Sequence, residues 1–134
     1  LRSELRGRQV NRVLKGLVLV IAVSFLVTGL RWLVAPVGVA PTFGLTLDQG
    51  VGLSSQVGDM SAFFLTLATC LLIALISGRR SWYYPAIMLL SFTAIGRIVA
   101  WLVHDAALAL DLIAPEVVVS IILLVASRRL AKEA

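Results

Sequence analysis

Charge is scarce in this sequence. Asp, Glu, Lys and Arg make up 14% of 134 residues, 60% are hydrophobic, and the mean hydropathy is +1.00. A soluble domain is about a quarter charged, so these values exclude that class, and they exclude disorder as well. Cysteine occurs once, at Cys70, which rules out an internal disulfide and a cysteine-based metal cluster. The single histidine, His104, leaves no second imidazole for a haem or a histidine-rich metal site. There is no HExxH, Walker loop, GxSxG or CxxC. The first apolar run carries none of the twin carboxylates that a proton-driven rotor needs. The chain therefore reads as a non-enzyme, with no catalytic residue, cofactor or metal expected.

Long apolar runs are what the sequence does have. Crossing the hydrocarbon takes about 20 mostly apolar residues in a helix. Four stretches meet that need: 14–35, 60–76, 82–104 and 112–127. Pro36 closes the first, Ser77-Gly78-Arg79-Arg80 the second, and Arg128-Arg129 the fourth. Period-2 alternation is missing from all of them, so a membrane β-barrel is excluded. The expectation is an all-α integral membrane four-helix bundle forming one domain over 1–134. A cleaved leader ending near Val39-Ala40 is not expected, because the apolar stretch is too long and Pro41 follows.

Basic residues orient such a bundle. Arg2, Arg6, Arg8, Arg12 and Lys15 precede the first span, Arg79 and Arg80 join the second to the third, and Arg128, Arg129 and Lys132 follow the fourth. With an even number of spans all three groups share one side, and the positive-inside rule makes it cytoplasmic, with both termini. Asp48, Asp59, Asp105, Asp111 and Glu116 lie at the outer ends, leaving only Glu4 and Glu133 inside. Topology thus accounts for the net charge of +5 and a pI near 10.4, and no nucleic-acid partner is expected. Membrane lipids are, since juxtamembrane arginines meet anionic headgroups. The connection 36–58 reads as a strap on the outer bilayer surface, or else as a lid or cap. Trp82, Tyr83 and Tyr84 read as interfacial anchors. Cys70, mid-span among Leu and Ala, reads as a packing residue because a thiol in apolar surroundings is poorly nucleophilic.

Helical spacing gathers the polar residues of each span on one face. The faces are Ser24-Thr28-Arg31, Asp59-Thr66-Cys70, Thr93-Arg97-His104 and Glu116-Ser120-Ser127. Small and hydroxyl residues mark helix contacts in lipid, so the four faces are expected to meet. Arg31, Asp59, Arg97, His104 and Glu116 would then form a polar cluster in the outer half. Arg97 lies about 10 Å deeper than His104 at 1.5 Å per residue. An arginine at that depth costs about 2.5–3.5 kcal/mol on insertion scales, so it needs a partner, Asp59 or Glu116. His104 and Asp105 point about 100° apart on a helix and form no oriented dyad. If Asp111 caps the fourth span, Pro115 falls in its first turn; otherwise Pro115 kinks a longer helix. Two readings of the cluster stay open: an ion-pair network that fixes helix packing, or a polar pocket open to the outside.

Several short motifs resemble a known family. Gly58-Asp59 with Phe63 opens the second span, Ala94-Ile95-Gly96-Arg97 lies in the third, His104-Asp105 follows it, and Glu116 begins the fourth. The pattern is similar to that of small four-span bacterial membrane proteins grouped as a domain of unknown function, over about 14–129. It departs at Ala106, where the family pattern has glycine. The resemblance implies a bacterial inner-membrane four-helix protein with Asp59, Arg97 and Glu116 at matching polar positions. It implies no reaction. Three functions are carried forward: a non-catalytic accessory subunit of a larger membrane complex or homo-oligomer, ranked first; a binder of lipid or another small hydrophobic molecule; and an ion- or proton-coupled transporter.

Overall fold

The architecture comes from a computed structural model describing residues 1–132; Glu133, placed above among the inner acids, lies outside them. The chain is all-helical. It runs α1 (Arg2–Val34), α2 (Pro36–Val39), a 3-10 turn (Ala40–Phe43), α3 (Gly50–Ser77), a second 3-10 turn (Arg80–Trp82), α4 (Tyr84–Val103) and α5 (Leu110–Arg129). Four of these helices, counting the second 3-10 turn as the lead-in to α4, are long and apolar enough to cross a membrane. At 1.5 Å per residue α1 extends about 50 Å.

α1 packs along α3, and α4 along α5. The first pair is in close contact at Gly29. A Cβ there would stand 2.8 Å from the Leu65 side chain and 3.1 Å from the Leu65 backbone nitrogen. Glycine is what lets the two backbones come together. Around that seam Val18, Ala22, Leu67, Leu71, Ala86 and Leu123 are fully buried or nearly so, forming one core shared by the four long helices. The other apolar faces turn outward: Val20 is 63% exposed, Phe92 63% and Leu102 65%.

The bundle has two distinct ends. At one, Gly78 ends α3 in a left-handed conformation (φ 68°), and its carbonyl accepts the Lys132 N–H at 2.9 Å. Arg80 Nε donates to the Ser127 carbonyl there at 3.1 Å, and Arg2, Arg6 and Arg129 border one shallow groove. At the other end α4 stops at His104. Asp105 (φ 55°) takes the left-handed position, and the Ala106 N–H returns to the Ala100 carbonyl at 3.2 Å. The tight turn forms without glycine at 106, because an aspartate at 105 tolerates positive φ.

α1 starts at Arg2, so the helix runs through the basic segment ahead of the expected span 14–35; its arginines are good helix formers and no proline precedes residue 36. Helical segments occupy much of the connection expected over 36–58. Val39 and Ala40 are buried, residues from Gly50 onward belong to α3, and Gln56 clasps the intervening backbone, accepting from the Asp48 N–H at 2.8 Å and donating to the Thr46 carbonyl at 2.9 Å. Tyr83 is 1% exposed, so this ring packs inside the bundle while Tyr84 faces outward. Of the alternatives left open for Asp111 and Pro115, a cap by Asp111 is not the one formed, because Ala109 is the N-cap of α5. The helix begins at Leu110, which puts Pro115 in its second turn.

Candidate functional site

The end of the bundle away from the termini holds a cavity of about 620 Å³. Its wall is built from phenylalanines on three different elements: Phe25 on α1, Phe43 in the first 3-10 turn, and Phe63 and Phe64 on α3. Phe64 joins them, with its ring centroid 5.9 Å from Phe25 and 5.1 Å from both Phe43 and Phe63. Four of the chain's five phenylalanines therefore surround one space. Leu90 and Val119 complete the apolar lining from α4 and α5. Trp32, fully buried, supports Phe43 at 6.3 Å and fixes the turn over the cavity.

The polar groups converge from α3, α4 and α5. Arg97 Nε donates to Glu116 Oε1 at 2.9 Å, with the two side chains 27% and 13% exposed. The structure pairs Arg97 with Glu116, one of the two partners the sequence allowed. Asp59 lines the same cavity from α3, and Asp111 lines it from the first turn of α5. Pro115 has no N–H, so the Asp111 carbonyl lacks the helical bond that residue 115 would otherwise donate. Glu116 Oε2 is buried, and among the described residues it has no hydrogen-bond partner. Thr93, also lining, commits its hydroxyl proton to the Leu89 carbonyl at 2.7 Å. The cavity thus carries three carboxylates against one guanidinium, a formal charge of −2.

Two of the five residues expected in the cluster do not reach it. Arg31 is exposed, and its Nη2 donates to the Gly38 carbonyl at 3.2 Å, bracing the break between α1 and α2. The backbone turn at Ala35 (φ −147°, ψ 58°) brings that carbonyl within reach, so the guanidinium is used locally. His104 is exposed at the end of α4 and does not line the cavity. Asp59, Arg97 and Glu116 do line it. Asp111 and the phenylalanine wall were missed as site residues. Asp111 reads from the sequence as an outer-end acid and possible helix cap, and Phe25 and Phe43 converge only through the packing of α1 and the 3-10 turn on α3.

Among the described residues no three His, Cys, Asp or Glu side chains come together as a metal-binding set. No protein-family model, no curated protein and no solved structure matches the chain.

Proposed function

We propose that the chain is a four-span membrane protein that holds a small hydrophobic or amphiphilic molecule in the cavity between α1, α3, α4 and α5. The observation that carries this is the cavity itself, an apolar aromatic wall with a charged floor. Its volume falls within the range of small-molecule sites, about 300–1,000 Å³. Exposed apolar side chains along all four long helices support the membrane setting, because lipid is the solvent such faces need. Arg2, Arg6, Arg80, Arg129 and Lys132 share the end that carries the termini, which supports an orientation with both termini cytoplasmic and the cavity toward the outside. Placement in a bacterial inner membrane, within the four-span family of unknown function, rests on the Gly58-Asp59, Ala94–Arg97 and Glu116 motifs.

The accessory-subunit reading keeps one observation in its favour. Along the 33 residues of α1 only Leu14, Val18, Ala22, Gly29 and Trp32 are buried, which leaves most of an apolar helix free for a partner subunit or a second copy. Native mass spectrometry of the protein extracted in mild detergent separates the two. A binder emerges alone with one small molecule per chain. A stoichiometric protein partner with no small-molecule adduct would replace this proposal with the subunit reading.

A further inference from the structure

We infer that the cavity selects a cationic head: its ligand is a single-chain amphiphile bearing an amine or quaternary ammonium group, with the alkyl chain against the phenylalanine wall. This rests on the binding reading above and adds to it the chemical class of the ligand.

Charge complementarity carries the inference. Asp59, Asp111 and Glu116 line the cavity against Arg97 alone, and Arg97 already gives its Nε to Glu116 at 2.9 Å. An anionic head would gain the remaining guanidinium donors but would enter a cavity whose lining carries a formal charge of −2. Like charges brought together in a poorly solvated space repel far more strongly than in water. A neutral head would leave the acids uncompensated. A cation answers each feature in turn. It is attracted to the Glu116 carboxylate, whose single Arg97 contact leaves the lining at a formal charge of −2. It offsets the charge of Asp59 and Asp111.

The polar and apolar parts are arranged for a molecule with two ends. Phe43, Phe63 and Phe64 form a continuous ring cluster, whereas Arg97, Asp111 and Glu116 come from the facing helices α4 and α5, with Asp59 on α3 four residues before Phe63. A compact polar solute would leave the ring wall unfilled, and a plain hydrocarbon would bury the ion pair against nothing that can hydrogen-bond.

The test compares three probes with one ten-carbon chain: decyltrimethylammonium, decanol and decanoate. Each is titrated into the intact protein in dodecyl maltoside, and bound copies are counted by native mass spectrometry. The ammonium should bind one per chain and about tenfold more tightly than decanol, with decanoate weakest. Asp59→Asn and Asp111→Asn should each weaken the ammonium by several-fold and leave decanol unchanged. Equal binding of all three probes would overturn the head selectivity while leaving the cavity a binding site. Tightest binding of decanoate would also overturn it and make Arg97 the recognition group. Absence of binding by every probe would remove the binding proposal together with this inference.

Discussion

Arg97 Nε and Glu116 Oε1 stand 2.9 Å apart and tie α4 to α5 across 19 residues of sequence. The pair lies in the wall of the cavity, so one contact both fixes a helix seam and sets the local charge. Arg97→Leu leaves Glu116 in a nearly buried position with neither oxygen partnered. Loss of a hydrogen bond to a charged group at a partly open site costs about 1.5–3 kcal/mol. Thermal unfolding in detergent should show a loss of that size, and Arg97→Leu with Glu116→Gln should recover part of it. Asp59→Asn combined with Arg97→Leu should be additive, since Asp59 makes no contact of this kind. Coupling to Asp59 and none to Glu116 would contradict the pairing.

Gly29 sets the distance between α1 and α3. Gly29→Ala drives a Cβ into Leu65, and overpacking of this kind costs about 1–3 kcal/mol. Leu65→Ala on the same chain should restore part of the loss and not all of it, because the Leu65 backbone nitrogen would remain 3.1 Å away. Full tolerance of Gly29→Ala alone, read as an unchanged melting temperature, would mean the helices sit further apart.

Tyr83 is 1% exposed, and among the described residues its hydroxyl has no partner. A buried hydroxyl without a hydrogen bond costs about 1–3 kcal/mol in desolvation. Tyr83→Phe removes only that oxygen, so thermal stability should hold or rise. A clear fall would show that the hydroxyl is hydrogen-bonded.

Cysteine labelling in a Cys70→Ala background checks the proposed orientation. Gln49→Cys and Asp105→Cys should react with a membrane-impermeant maleimide in intact cells, and Arg79→Cys should react only after lysis. Labelling of Arg79→Cys from outside would invert the topology.

The helical class and the four apolar helices were legible because hydrophobicity and length dominate both. Arg97 could be picked out because an arginine seven residues inside a span has few tolerable environments. Its partner could not be settled, since Asp59 and Glu116 look equally placed until the α4–α5 pairing is known. Arg31 misled for the opposite reason. Helical spacing put it on the polar face, but the break at Ala35 folded Gly38 back onto it. Tyr83 looked like its neighbours Trp82 and Tyr84, and only the short turn before α4 rotates it inward. The phenylalanine wall was hidden because its members come from separate elements and meet only through tertiary packing.

Occupation of the cavity is tested most directly by photocrosslinking. A ten-carbon alkylammonium carrying a diazirine on its chain, irradiated with the detergent-solubilised protein, should modify residues of the cavity wall, Met60, Phe63 and Val119 foremost. Excess decyltrimethylammonium should suppress those adducts, and Val119→Trp, which fills the space, should abolish them. Adducts confined to outward faces such as Val20, Phe92 and Leu102, unaffected by competitor, would show ordinary solvation by lipid and no binding site.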